Sequence, residues 1–330
     1  MDKRLSEITR WVSRRFNISD PKLRSASSDA SFRRYFRFEC GGRSYIVMDA
    51  PPEYENTGLY IRAAQRFREL GLNVPEIIDQ EGDLGFVLIS DLGHTTYFDH
   101  INKENVSRLY GDALGALIIL QTGTLIDPGY FPPYSRALLW SEMALFPEWY
   151  IDKHVGYRLL PDQQDVITST LNILCENALE QPQVWVHRDY HSRNLMVMEN
   201  NNPGILDFQD AVTGPVTYDL VSLLRDCYIE WPPEQVRDWA LGYLNLTIQS
   251  GLGLSDNEEQ FTRWFDRMGL QRHIKVLGIF ARLFHRDGKA NYLNNLPLVW
   301  KYAVSVCQND VDLGPFGELL LELRPPSCTS

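Results

Sequence analysis

The sequence offers no uninterrupted apolar stretch long enough to cross a bilayer. Its longest run, Ala113 to Leu120 with Gly115 inside it, falls far short of the roughly 20 residues required. The N-terminal MDKRLSEITRWVSRRF is charged at near-helical intervals and lacks the apolar centre of a secretory leader. Cysteine is scarce: Cys40, Cys175, Cys227, Cys307 and Cys328 form no CxxC pair, and five cannot close into a complete disulfide framework. Basic charge is short too, with 32 Lys and Arg against 43 Asp and Glu and a formal net charge of −11. Phosphate backbones are held by clustered Lys and Arg, so this balance argues against a nucleic-acid partner. Internal repeats, low-complexity tracts and long Gly/Ser linkers are also missing. These absences lead to the expectation of a cytoplasmic chain with neither a membrane nor a nucleic-acid partner.

What is present is 330 residues, 44% of them hydrophobic, more than one compact core usually holds. Residues 1 to 16 read as an amphipathic helix. Phe32 to Cys40, Arg43 to Met48 and Phe86 to Ser90 read as strands bounded by Gly, Asp or Pro, and Thr57 to Leu70 as a helix stopped by Gly71. From about Asn105 the apolar residues recur at helical spacing, as in Leu109, Leu114, Leu117 and Leu120, and again in Ile167, Leu171, Leu174 and Ala178. Three short apolar strands, Val184 to His187, Leu195 to Met198 and Gly204 to Leu206, interrupt that helical region and enclose polar loops. The fold expected is α+β, with a small β-rich lobe over residues 1–92 and a larger, mainly helical lobe over 93–330. A nucleotide is expected in the cleft, since cofactor pockets favour domain interfaces.

The densest chemistry lies in WVHRDYHSRNLMVMENNNPGILDFQD, from Trp185 to Asp210. It holds HRDxxxxN, an apolar strand, a turn, and a second strand running into Asp207. This arrangement suits phosphoryl transfer, where positioning and charge neutralisation do most of the catalysis. Asp189 is the candidate acceptor of a hydroxyl proton; Asn194 and Asp207 offer one neutral and one anionic oxygen to Mg2+. A second HRD, His285-Arg286-Asp287, has no Asn five residues on and no Asp-bearing hairpin, so Asp287 reads as structural or substrate-side. His187 and His191, four apart, have zinc-ligand spacing only on a helix. They sit instead where a strand enters a loop, with no thiolate or third His close by.

The Trp185–Asp210 segment resembles the catalytic and metal loops of the protein-kinase-like superfamily, specifically its aminoglycoside phosphotransferase branch, with Asp207-Phe208-Gln209 in place of DFG. That resemblance implies ATP and Mg2+ as cofactors and a two-lobed kinase fold. Between two strands, SASSDASFRRYFRF occupies the place of the phosphate-covering loop; Ser27, Ser28 and Ser31 stand where small residues let backbone amides approach phosphate, although a strict GxGxxG is absent. The superfamily's phosphate-pairing lysine is missing from the Ser44–Met48 strand, so Arg33 or Arg34 replaces it, or magnesium neutralises the phosphates, or the chain is a nucleotide-binding pseudo-kinase. FVLISDLG resembles the hinge, with backbone groups of Ser90 and Leu92 for adenine.

Over nearly the whole chain the resemblance extends to one subgroup, bacterial kinases acting on the anomeric hydroxyl of N-acetylmuramate and N-acetylglucosamine in cell-wall recycling. It is carried by SSDASFRRYFRF, VMDAPPE, LFPEWYIDKHVG and LQRHIKVLGIFARL. It implies α-1-phosphate products and a small amino-sugar partner. Glu142 and Trp149 are candidates for the sugar's hydroxyls and ring face, and Arg193 for the lactyl carboxylate of muramate or a transferring phosphate. An aminoglycoside kinase is the rival, since acidic charge favours a polycation.

Overall fold

The computed structural model describes residues 2–28 and 32–324, with Ser27 and Ser28 described by backbone alone. The chain folds into two compact units. One comprises residues 1–102 and 194–210, the other 103–193 and 211–330.

The first unit is built on a five-stranded antiparallel sheet of β1 (Arg24–Ser28), β2 (Arg34–Cys40), β3 (Arg43–Asp49), β4 (Ile77–Glu81) and β5 (Phe86–Ser90), in the order β1-β2-β3-β5-β4. Helix α1 (Lys3–Phe16) places Ile8, Trp11 and Val12 against Phe36, Phe38, Val47, Phe86 and Leu88. Trp11 lies 5.9 Å from Phe86 and Phe16 lies 5.2 Å edge-on to Phe38. Each such fully buried side chain contributes about 1.5–3 kcal/mol, which is what fixes the helix to the sheet. Helix α2 (Thr57–Glu69) is capped by the Asn56 side chain and buries Tyr60, Ala63, Ala64 and Phe67, the spacing of one helical face. Gly85 sits at φ 70° with Ala50 O only 1.9 Å from where a Cβ would stand, so the β5 entry tolerates no side chain.

β1 and β4 escape the sequence reading for a simple reason. RSASS has no apolar alternation and IIDQE only a brief one, so their strand character comes from pairing with β2 and β5.

The larger unit is mainly helical. Its axis is the Glu258–Asp287 helix, buried over most of its length and packed against the helices Tyr218–Leu224, Pro161–Glu180 and Leu296–Asn309 and the π-helical turn Phe146–Val155. At Gly278 that helix comes so close to Leu145 that a Cβ would lie 2.5 Å from its backbone. The apolar helix Val106–Ile126 is long enough to cross a membrane by length and composition. It is instead tied into this unit: Tyr110 Oη donates to Leu223 O, and Gln121 bonds Val216 O and Tyr243 Oη. A two-stranded ribbon, Gln183–Val186 against Val212–Pro215, leads into the HRD loop.

Candidate active site

In the first unit, the hairpin Leu195–Met196/Gly204–Ile205 pairs Leu195 with Ile205, and Leu206 N donates to Asn194 O at 2.9 Å. This register brings Asn194 and Asp207 to the same end of the hairpin, as the sequence implied. The hairpin is stitched to the sheet unit by backbone bonds: Ile205 N to Asn73 O at 2.8 Å and Val197 N to Thr95 O at 2.9 Å. Asn73 Nδ2 adds a bond to Asn201 O. Phe208, fully buried, stacks 4.8 Å from Tyr60 and meets Phe67 at 5.6 Å, so α2 packs on the segment that follows the hairpin.

Asp207 adopts φ 64°, uncommon for a residue with a Cβ. Its Oδ1 accepts from Arg33 at 3.3 Å and from Gln209 Nε2 at 3.0 Å. The two candidate arginines part company here. Arg33 is buried between Asp207 and Glu55, whose Oε2 is 4.0 Å from its Nε. Arg34 binds Asp49 at 2.9 and 2.5 Å and also Asp2, while Arg4 takes the other Asp49 oxygen at 2.8 Å. Asp49 is fully buried and Met48 nearly so, which explains how an acid can stand where a cation is expected: two arginines from other elements neutralise it.

Whether magnesium suits Asn194 and Asp207 follows from the donor set. One amide oxygen and one carboxylate are hard ligands, and Mg2+ is commonly held by one or two such groups with substrate phosphates supplying the rest. Among the described residues no cluster of three or more His, Cys, Asp or Glu forms a metal cage. The residues fit magnesium brought with a nucleotide.

The hinge candidates are only partly as expected. Ser90 N donates to Glu76 O at 3.0 Å and Ser90 Oγ accepts from Glu76 N, because β4 pairs with β5 there, so that amide is not open to a base. Leu92 follows, and the segment is clamped by Asp91, which accepts from Arg37 at 2.6 and 2.9 Å, from Ser44 Oγ and from Gly93 N. Ser31 lies outside the described residues; Ser27 and Ser28 are in β1.

In the larger unit, the HRD loop is held from beneath. His187 N and Arg188 N donate to the two oxygens of Asp219 at 2.6 and 3.0 Å. Arg188 is thereby kept at φ 78°, a conformation costing on the order of 1–3 kcal/mol. Burial pushes the Asp219 carboxyl up to about 7, against the two amide bonds that favour its charge. Asp189 N reaches His187 Nδ1 at 3.2 Å, and Tyr190 Oη anchors to Ala113 O. Burial opposes charge on Asp189 as well. Lys275, His191, Arg272 and Arg188 outweigh it and hold this carboxyl below its usual range. Asp189 is therefore ionised near neutral pH, the state in which a carboxylate can accept a proton.

Glu142 belongs to the same neighbourhood. Oε1 accepts from Arg188 and lies 3.0 Å from Lys275 Nζ, and Oε2 accepts from Tyr134 Oη. It is 9% exposed, and both oxygens have protein partners. Phe146 and Tyr150 of the next turn are core, stacked at 5.3 Å, with Tyr150 Oη on Leu323 O. Trp149 is half-buried, and among the described residues no ring contact involves it. Arg193 is exposed, its guanidinium 3.7 Å from the Tyr228 ring centre. The second HRD closes the C-terminus of the long helix, where Arg286 and Asp287 pair with each other in solvent.

Asp219, Lys275 and Arg272 were not singled out in the sequence. A signal was there: each is a charged residue inside an apolar helical run, YDLVSLL and LQRHIKVLGIF, and a charge buried in that way is paired or functional.

Residues 22–254 match the phosphotransferase enzyme family, APH. A Pseudomonas putida protein named N-acetylmuramate/N-acetylglucosamine kinase is 41% identical over 98% of this chain and 97% of its own length. A Pseudomonas aeruginosa protein of the same name is 44% identical over 93% of this chain and 90% of its own. Among solved structures, the gentamicin-APH(2")-IIa complex matches with a TM-score of 0.59 at 15% identity, covering 89% of this chain and 95% of that one. Plasmodium vivax ethanolamine kinase matches with a TM-score of 0.59 at 12% identity, covering 86% and 82%. At those identities the two structures share the fold, which is protein-kinase-like.

Proposed function

The chain belongs to the phosphotransferase enzyme family, and on that premise we propose that it transfers the γ-phosphoryl group of ATP to the anomeric hydroxyl of N-acetylmuramate and N-acetylglucosamine. The products are the α-1-phosphates, formed in the cytoplasm during cell-wall recycling. The observation that carries the acceptor is the likeness, at 41 and 44% identity over nearly the full chain, to relatives named for those two sugars.

The chemistry follows from the chain's own groups. Asp189, held ionised by its buried cationic neighbours, takes the proton from O1 as O1 bonds to the γ-phosphorus. The bond from that phosphorus to the bridging oxygen breaks, and ADP leaves. Asp219 fixes the loop so that Asp189 need not be ordered in each turnover. Asn194 and Asp207 are the residues that would hold Mg2+; when bound, the ion neutralises charge on the phosphates. Arg33, beside Asp207, supplies the cation that Met48 and Asp49 do not.

A coupled ADP-release assay with N-acetylmuramate, N-acetylglucosamine and kanamycin tests this. Turnover is expected with the two sugars and not with kanamycin. Phosphorus NMR is expected to show a product coupled to H1 alone, and methyl N-acetylglucosaminide, blocked at O1, is expected to be inert. A product coupled to methylene protons would place the phosphate on O6, and turnover of the methyl glycoside would place it on a hydroxyl other than O1; either refutes the reading.

A further inference from the structure

Every residue of the long helix from Met268 to Gly278 is buried. Burial opposes charge on Asp189, and Lys275, inside that stretch, leads the cations that outweigh it. Ile279 and Arg282 follow Lys275 at the spacing of one helical stripe, and both are half-buried, so it is here that this stripe leaves the core. From Lys275 to Arg282 the helix advances about 10 Å, the span of one substituted pyranose.

The chain packed on this stripe climbs with it. Glu142 meets Lys275 at 3.0 Å, Leu145 lies against Gly278, and the charge of Glu148 acts on Arg282. The first of these levels is closed, because Glu142 is shared among Lys275, Arg188 and Tyr134. The third is open. Glu148 is exposed and Trp149 beside it half-buried, both in the π-helical turn Phe146–Val155, a backbone form frequent at functional sites. Arg282 Nε is buried and, among the described residues, has no hydrogen-bond partner, and no ion pair engages the guanidinium. Arg286, one turn on, pairs with Asp287 instead. Burial and then Arg286 disfavour the Arg282 charge, and the exposed acids Asp287 and Glu148 offset them only in part. A buried donor without an acceptor is costly, and an anion brought by a ligand removes that cost.

The two sugars in the relatives' name differ by one group: muramate carries a lactyl ether whose carboxylate is ionised at neutral pH, and glucosamine has a neutral hydroxyl there. We propose that Arg282 binds that carboxylate and so sets the preference for the acidic amino sugar over the neutral one, the sugar lying along the stripe between Lys275 and Arg282. This rests on the function proposed above. A guanidinium presents two parallel N–H donors to a carboxylate, a geometry that a lysine on its flexible stem does not reproduce.

The test is kcat/KM of the full chain at saturating ATP and magnesium for N-acetylmuramate, its methyl ester and N-acetylglucosamine. Wild type, Arg282→Ala, Arg282→Lys and Arg193→Ala are compared. Wild type is expected to favour the acid over its ester by roughly 10- to 100-fold, the worth of a charged hydrogen-bonded pair. Arg282→Ala lowers the ratio of N-acetylmuramate to N-acetylglucosamine by a similar factor, mainly through KM, and treats acid and ester alike. Arg282→Lys recovers part of that ratio. The ester comparison in wild type judges the carboxylate contact even if Arg282→Ala unfolds, and Arg282→Lys then assigns it: a lowered ratio supports Arg282 and a wild-type ratio overturns it. A wild type indifferent to the ester, an Arg282→Ala ratio unchanged within about twofold, or an equal fall for both sugars overturns the proposal. So does a ratio lost in Arg193→Ala and kept in Arg282→Ala. A wild-type chain that turns over neither sugar defeats the functional reading itself, a result distinguishable from an active enzyme whose preference ignores Arg282.

Discussion

Glu142→Gln separates two roles for this residue, a sugar ligand or a buried counter-ion. The substitution keeps the side chain's volume and its bond to Tyr134 but removes a buried charge that both Arg188 and Lys275 contact. Burial disfavours the Glu142 charge, and Lys275 and then Arg188 more than offset it, leaving this carboxyl below its usual range. Breaking a buried pair by removing one partner costs about 3–5 kcal/mol, since the cations left behind are desolvated and face each other. For a unit of this size each kcal/mol lowers Tm by about 2–4 °C, so a fall of roughly 6–20 °C is expected. Thermal unfolding by circular dichroism measures it. Lys275→Met added to Glu142→Gln should cost less than Lys275→Met alone, because Lys275 has there already lost its contact with the Glu142 charge. The pH dependence has a definite sign. An acid whose folded pKa is depressed contributes stability above its unfolded value, here near 4.5, and that stability is lost as pH falls through the folded pKa. The Glu142→Gln profile should accordingly be flatter than wild type on the acid side. A Tm within about 2 °C of wild type, with a raised KM for sugar, would return Glu142 to the acceptor.

Asp189→Asn is expected to lower kcat by on the order of 100- to 10,000-fold while ATP binding by calorimetry stays near wild type, and wild-type turnover would remove Asp189 as the base. Asp207→Ala is expected to weaken nucleotide binding in the presence of magnesium and to leave the magnesium-free value little changed; an unaltered magnesium dependence would exclude it as a principal ligand.

Much of this protein is legible in one dimension because its chemistry is packed into a short segment. HRDxxxxN, the hairpin and Asp207 fall within 26 residues, and local spacing alone sets Asn194 near Asp207 once two apolar strands pair. The helices α1 and α2 announce themselves by 3.6-residue periodicity and by the Asn56 and Gly71 boundaries. The family follows from the same segment. Other features depend on residues far apart in sequence, and no periodicity encodes them. Arg33 and Arg34 are adjacent and alike in sequence. One nevertheless meets Asp207, 174 positions away, and the other Asp49 and Asp2, because strand pairing sends neighbours to different partners. Glu142 reads as a surface acid until the long helix brings Lys275 against it. Asp219 reads as a helix residue until its two oxygens meet the amides of His187 and Arg188. The sequence by itself determined the reaction type and the elements that bear its residues. Only the tertiary structure decided which charges are buried together, since a charge's partner is set by where the chain returns, and burial turns that pairing into the energy that holds the HRD loop.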